Sequence, residues 1–430
     1  MTRNQERNYT LPIIMMILLF GMISFVTNLA APMGIVLKNQ FGVSNFLGML
    51  GNFANFIAYA CMGIPAGKLL EKVGYKKTAL VAIVIGFAGV AIQYLSGIAG
   101  SFAIYLLGAF VAGFSMCTLN AVVNPMLNTL GGGGKKGNQL IQVGGSFNSL
   151  MGTLVPMLVG ILVGDVTKAS IPDVNPVLFI ALGIFATVGA VLYFVNIPEP
   201  HIAVSRSATG EKSKFSAWSF RHFVLGTIAI FVYVGVEVGI PGTLNLFLAD
   251  PNAGGIAAAT AGFVAGTYWF LMLIGRFVGV GIGRKVSSKT MLTTASAIGA
   301  IFVLLAIFAP IAAKVSMPVV QTGGTGAISF GIVEVPVNAV FLVLCGLCTS
   351  VMWGSIFNLA VEGLGKYVAA GSGIFMVMVC GGGILPLLQN LIVDKAGYLI
   401  SYWVPLIGLI YLVYYALAGS KNVNTDIPVD

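Results

Sequence analysis

Residues 223–248 read Phe-Val-Leu-Gly-Thr-Ile-Ala-Ile-Phe-Val-Tyr-Val-Gly-Val-Glu-Val-Gly-Ile-Pro-Gly-Thr-Leu-Asn-Leu-Phe-Leu. A run of about 20 apolar residues crosses a bilayer as a helix, and this one carries Glu237 with more than ten of its residues on either side. A charge near the hydrocarbon midplane costs at least ~2.5 kcal/mol, so it persists only where it faces a partner or a water-filled cavity. Gly235, Gly239, Pro241 and Gly242 surround it, the composition of a helix whose backbone can bend beside the carboxylate. The run is therefore expected to wall a polar cavity inside a membrane protein. The plainer alternative is a protonated glutamate hydrogen-bonded inside a helix bundle.

The rest of the chain agrees with a membrane setting. Of 430 residues, 58% are hydrophobic and 8% charged, with mean hydropathy +0.98; soluble domains are roughly 25% charged. The first apolar run, from Leu11, is already of spanning length and predicts a retained helix rather than a cleaved leader. Apolar runs predict twelve spans, at about 11–36, 45–66, 78–96, 101–130, 139–163, 175–195, 223–249, 257–281, 290–312, 338–362, 369–393 and 398–418. With the N-terminus cytoplasmic, all but four of the 22 lysines and arginines fall on the cytoplasmic side; the exceptions are Lys38, Lys168, Lys314 and Lys395. The net charge of +9 is thus a topology signal and not a nucleic-acid footprint. It predicts a multi-pass protein of the cell (inner) membrane, bathed in membrane lipid, with both termini cytoplasmic.

The longest cytoplasmic connection, with Pro198 and Pro200, divides the chain into an N-terminal six-helix bundle (1–196), a linker (197–222) and a C-terminal six-helix bundle (223–430). The two bundles share internal echoes. Gly67-Lys-Leu-Leu-Glu-Lys-Val-Gly-Tyr-Lys-Lys77 returns as Gly275-Arg-Phe-Val-Gly-Val-Gly-Ile-Gly-Arg-Lys285, and Gly152 with Pro156 as Gly382 with Pro386. Such duplicated parallel halves are what transport by rocking requires. Cys345 and Cys348 form a CxxC, but on a spanning helix without nearby histidine they read as small core residues.

The Gly67–Lys77 loop resembles the signature loop between spans two and three of the major facilitator superfamily, and the six-plus-six layout agrees. More narrowly, the chain resembles the fucose, galactose and glucose proton symporters of that superfamily. The likeness lies in Ile64-Pro-Ala-Gly67, Leu119 to Gly131 with Asn124-Pro125, and Ser146-Phe-Asn-Ser149. It continues through Tyr233-Val-Gly-Val-Glu-Val238, Tyr268-Trp269 with Gly275-Arg-Phe277, Gly363-Leu-Gly-Lys366, and Leu385-Pro-Leu-Leu-Gln389 with Asp394. The resemblance implies an all-α fold of twelve transmembrane helices in two pseudo-symmetric six-helix bundles, and import of a monosaccharide, a hexose such as glucose, galactose or fucose, by alternating access. It also exposes departures. The family has an acid where this chain has Ala31, a second where it has Asn120, and a glutamine where it has Gly145. The two acids are those the resemblance assigns to proton coupling, which leaves Glu237 as the candidate here.

Asparagine and glutamine both donate and accept hydrogen bonds, as sugar hydroxyls demand. Asn120, Asn124 and Asn128 recur at intervals of four and share one helix face, which in lipid must turn inward; interhelical glue is the alternative. Asn120 and Glu237 are expected to border one wet central chamber. Further binding candidates are Asn28, Asn52, Asn55, Gln142, Asn148, Asn245, Asn358 and Gln389, with Tyr233, Trp269 and Trp353 as aromatic faces for a sugar ring. Lys68, Lys72, Arg276, Arg284 and Glu362 are read as gating charges that pair across the halves at the cytoplasmic face, against the alternative of a solvated charge run. Residues 313–336 are an outward loop that either folds over the entrance or stays disordered.

Two rival functions remain. A drug exporter of the same fold would want a larger apolar pocket with fewer amides. An enzyme would need a reactive constellation, yet the two histidines, His201 and His222, both lie by the linker. No metal or cofactor is expected, and the partners are a sugar, with a proton or a sodium ion as candidate driving ion, for a monomeric carrier. An uncoupled facilitator is the simplest variant of that reading.

Overall fold

The computed structural model describes residues 9–131, 134–164, 166, 168–199, 215–282, 286–322 and 328–429. Twelve helical spans long and apolar enough to cross a membrane lie among them. The first six are Thr10–Phe41, Leu50–Leu70, Tyr75–Ala99, Phe102–Leu127, Val143–Val163 and Ile171–Phe194. The second six are Arg221–Ala249, Ala258–Gly279, Ser288–Phe308, Val337–Val361, Gly373–Ala396 and Tyr398–Gly419. The expected number and grouping hold, while the ends move by a few residues. The second span begins at Leu50 rather than near 45, because Ser44 caps a separate turn, Asn45–Gly48, by accepting from the Leu47 N–H at 3.3 Å.

Several spans are not single straight helices. The first divides into Thr10–Asn28 and Ala30–Phe41, where Pro32 has no N–H to offer the carbonyl one turn back. The tenth divides into Val337–Thr349 and Met352–Val361, and the eleventh into Val368–Met378 and Gly381–Ala396. Gly381-Gly-Gly383, opening the second piece of the eleventh, lets that backbone press against the second span. A Cβ at Gly382 would stand 2.7 Å from the Phe56 ring, and one at Gly383 would stand 3.1 Å from the Phe53 backbone.

The two bundles meet along two seams, the second span against the eleventh and the fifth against the eighth. Small residues set both: Gly63 faces Val377, Gly152 faces the Trp269 ring, and Gly266 faces the Thr153 carbonyl. On the face rich in lysine and arginine, here the basic face, Gly74 takes φ +86° and turns the chain into the third span. Glu199 then accepts from the Tyr75 and Lys76 N–H groups at 2.7 and 3.0 Å, a carboxylate on a helix N-terminus.

On the opposite face the bundles are tied by polar contacts. Asp394 accepts from the Asn45 N–H and side-chain amide, both at 2.9 Å, and from the Phe46 N–H at 2.8 Å. Lys38 stands 3.6 Å from Asp250, which also accepts from the Tyr398 hydroxyl at 3.0 Å.

Within the expected outward loop lie two antiparallel strands, β1 (Lys314–Thr322) and β2 (Ile328–Pro336), with Lys314 opposite Pro336. β1 runs beside the eighth span, where the Val320 N–H donates to Thr267 Oγ1 at 3.0 Å, and Phe330 of β2 packs its ring on Phe270. Cys345 and Cys348 are buried, the Cys345 thiol donating to the Phe341 carbonyl at 3.4 Å, as core residues do.

Candidate functional site

Two polar sites lie at the meeting of the bundles, one between them and one inside the second bundle beside the seam. The first is a small cavity of about 40 Å³ in the half of the protein away from the basic face, lined by Thr27, Asn28, Met49, Asn52, Asn245 and Trp269, with Pro241 and Gly242. Its residues come from the first and second spans on one side and the seventh and eighth on the other. Breaks and bends bring them there: Asn28 sits at the break in the first span, and Asn245 one turn past Pro241. The Asn52 amide donates to the Gly382 carbonyl at 2.8 Å, fixing one end of the wall to the opposite bundle. Asn28 donates to the Ser24 carbonyl and hydroxyl at 2.9 and 3.0 Å. Asn245 is buried with its Oδ1 unpartnered among the described residues. Trp269 lays one face against Gly152 and its edge against Tyr268. All lining polar groups are neutral. The cavity holds only a few waters at this size, so a ring-sized solute needs the bundles to part.

The second site is a charged cluster at mid-depth. Glu237 Oε1 accepts from the Tyr233 hydroxyl at 2.8 Å and stands 3.6 Å from Arg276 Nη2, with only 13% and 11% of the two charged side chains exposed. Tyr233 also reaches the Thr349 carbonyl at 3.2 Å, and the Tyr268 hydroxyl meets Thr349 Oγ1 at 2.9 Å. A phenol has one proton to give and a lone pair to receive one. With Glu237 charged, Tyr233 donates to it; with Glu237 neutral, the acid can donate to Tyr233, and Tyr233 to Thr349. Both protonation states thus find hydrogen-bond partners without moving the backbone. Arg276 Nη1 in turn donates to the Gly145 carbonyl of the fifth span, across the seam.

Most of the other candidates fall outside these two sites. Glu237 and Asn120, expected on one chamber wall, are not among the residues lining the cavity, although Val238 beside Glu237 is. Asn120 and Asn124 of the fourth span spend their amide N–H groups within their own bundle. Asn120 donates to the Tyr59 hydroxyl at 2.9 Å and the Met116 carbonyl at 3.1 Å, and Asn124 to the Asn120 carbonyl at 2.9 Å. Asn148 accepts from the Ser24 hydroxyl through its backbone carbonyl. Asn55 and Gln389 are buried, with Asn55 Oδ1 and Gln389 Nε2 unpartnered among the described residues. Trp353 packs edge-on against Tyr233, whereas Asn358 is exposed toward the basic end of the tenth span. Lys68, Lys72 and Glu362 are exposed on the basic face, and the Glu362 carbonyl meets His222 Nε2 at 2.8 Å. Arg276 turns inward to Glu237 instead of outward to another loop charge. Arg284 and the side chains of Gln142 and Asn128 lie outside the described residues.

Sequence reading missed the pairing of Arg276 with Glu237, and the roles of Tyr268 and Thr349. A signal existed for part of it: Tyr233 and Glu237 are four apart on one helix and so share a face. Gly145 was legible only as a departure. Here its missing side chain leaves room for the guanidinium, since a Cβ there would stand 2.9 Å from Arg276 Nη1.

Twelve spans in two bundles, with a polar cavity on the seam between them, define a multi-pass membrane transporter. The chain belongs to the Major Facilitator Superfamily, whose sequence model matches residues 13–387. It is 30% identical over 424 residues to a glucose/galactose transporter of Brucella abortus, covering 97% of this chain and 96% of that one. It is 28% identical to a putative glucose/galactose transporter of Helicobacter pylori, over 97% and 99% of the two chains. The L-fucose-proton symporter of Escherichia coli is 22% identical over 91% of this chain and 89% of its own. Among solved structures, a Major Facilitator Superfamily transporter crystallised in the outward conformation superposes with TM-score 0.68 at 20% identity, over 97% of this chain and all of that one.

Proposed function

We propose that the protein is a secondary transporter that imports a neutral monosaccharide, a hexose of the glucose, galactose or fucose kind, by alternating access between the bundles 1–196 and 223–430 about the linker 197–222. The observation that carries this reading is the cavity wall of neutral amides and one indole, Asn28, Asn52, Asn245 and Trp269, set on the seam that must open. Amides pair with hydroxyls in either direction and an indole face covers C–H surface. Relatives that match nearly the whole chain are named for glucose, galactose and fucose transport. The basic face is the cytoplasmic one by the distribution of lysine and arginine, with both termini on it, in the cell membrane. The carrier acts as a monomer.

Glu237 is the proton-coupling group in this reading, because it is the acid at mid-depth and has partners for both protonation states. A second reading, an uncoupled or sodium-coupled carrier, is favoured by the Arg276 counter-ion, which stabilises the charged acid. Proteoliposomes separate the two. With an imposed pH gradient, wild-type protein accumulates labelled hexose and Glu237→Gln does not, while sugar exchange at equal concentrations continues. Unaltered uphill uptake by Glu237→Gln ends the proton role. Binding limited to lipophilic cations ends the sugar assignment.

A further inference from the structure

The guanidinium of Arg276 is shared between two bundles: Nη2 faces the carboxylate of Glu237 in the seventh span, and Nη1 donates to the Gly145 carbonyl in the fifth. We propose that Arg276 is the positioning residue that turns the charge state of Glu237 into opening or closure of the seam between the fifth and eighth spans on the basic side. The inference rests on the reading of Glu237 as the proton-coupling group and adds to it the element that the proton moves.

The physical case is one of counter-ions. While Glu237 is charged, its attraction holds the guanidinium between the seventh and fifth spans, and the same group satisfies the Gly145 carbonyl. Protonation removes the counter-ion, and a nearly buried cation without a partner is costly. Arg276 lies close to the basic end of the eighth span, in the stretch Gly275–Phe277. The nearest relief is therefore water at the basic face, and swinging there releases Gly145. Proton loading thus favours opening toward the basic side.

The titratable and charged groups around Glu237 are few. Tyr233 lies on its own span, and Tyr268 and Arg276 on the eighth; Cys345 and Cys348 of the tenth lie beyond Tyr268. The fifth, tenth and twelfth spans carry no Asp, Glu, Lys or Arg over 143–163, 337–361 and 398–419, and those of the eleventh, which packs on the seventh, are Asp394 and Lys395 at the end away from the basic face. Nothing else in these walls can take over the counter-charge when Glu237 is neutralised. Gly145 completes the device, because any side chain there would occupy the place of Nη1.

Val143 and Val278 are exposed, on the fifth and eighth spans near their basic ends, and serve as label sites. The full chain, with Cys61, Cys117, Cys345, Cys348 and Cys380 replaced by serine and spin labels at both valines, is placed in nanodiscs. Interspin distances are read from pH 5.5 to 8. In the parent the open population grows as pH falls, with a limit of about tenfold in the open-to-closed ratio per pH unit for one linked proton. Glu237→Gln is expected to show the parent's low-pH open population at every pH while still exchanging between states, and Arg276→Gln to lose the pH response. Gly145→Ala keeps both charges but displaces Nη1, so the seam is expected to loosen at high pH. A pH response retained in both Arg276→Gln and Gly145→Ala overturns the role of Arg276, even where Glu237→Gln abolishes uphill uptake. A parent seam indifferent to pH, with uphill uptake intact in Glu237→Gln, overturns the coupling reading itself.

Discussion

Asn52 and Asn358 look alike in the sequence, each an amide in an apolar run, and the structure separates them. Asn52 lies on the cavity wall and ties itself to Gly382, whereas Asn358 is exposed toward the basic end of its span. One neutral hydrogen bond is worth about 0.5–1.5 kcal/mol, so Asn52→Ala is expected to weaken sugar binding by about two- to tenfold. Asn358→Ala is expected to change it by less than about twofold. Equilibrium binding of labelled hexose to the two purified variants checks both; equal losses would remove the cavity from the binding site. The general need for buried amides was legible from hydropathy, but their assignment was not. Helix periodicity shows which residues share a face, as for Asn120 and Asn124, and is silent on whether that face meets a cavity, a tyrosine such as Tyr59 or its own backbone. Arg276 was hidden for a different reason: its position near a helix end reads as a loop charge, while its long side chain reaches inward to Glu237.

Spans are the most legible elements, because each needs an uninterrupted apolar run, and twelve runs became twelve spans. Breaks within them are less so: Pro32 announces the one at Leu29, but the tenth and eleventh spans divide at Ser350 and Val379 without a proline at the break. Residues 313–336 are an outward loop by hydropathy, yet Val315, Met317 and Val319 alternate as a strand should, and the pairing forms despite Pro318, which has no N–H to give a ladder. Beyond its pairing with β2, β1 is anchored by a long-range bond from the Val320 N–H to Thr267 Oγ1. Thr267→Val keeps shape and removes the acceptor, leaving that buried N–H unsatisfied. Loss of one neutral bond converts to an expected two- to tenfold rise, about, in amide exchange across residues 314–322, with exchange in the twelve spans unchanged. Mass spectrometry of peptides from 314–322 reads this directly, and protection equal to wild type would mean that packing on Phe270 alone holds the strands.

A carrier that alternates must close each face with contacts weak enough to break, and the face away from the lysines and arginines shows what those contacts are. Asp394 of the eleventh span takes three hydrogen bonds from Asn45 and Phe46, at the start of a turn belonging to the other bundle, and Lys38 meets Asp250 close by. The Lys38 pair is partly exposed and contributes little, about 0–1 kcal/mol. Asp394 is the stronger tie, because a carboxylate on backbone N–H groups makes charge-assisted bonds of about 1.5–3 kcal/mol each. Asp394→Asn retains one acceptor oxygen but turns an amide N–H toward a backbone N–H, so at least one bond and the charge are lost. At about 1.4 kcal/mol per decade, the equilibrium is expected to move about tenfold or more toward opening on that face. Ala30, on the cavity wall, reports it. In a background with the native cysteines replaced, Ala30→Cys is expected to react with a water-soluble maleimide about tenfold faster when Asp394→Asn is added, and Lys38→Gln to change the rate by no more than a few-fold. A rate indifferent to Asp394→Asn would shift the closure of this face onto the packing of the second span against Gly382 and Gly383, where added methyl groups and not lost charges would open it.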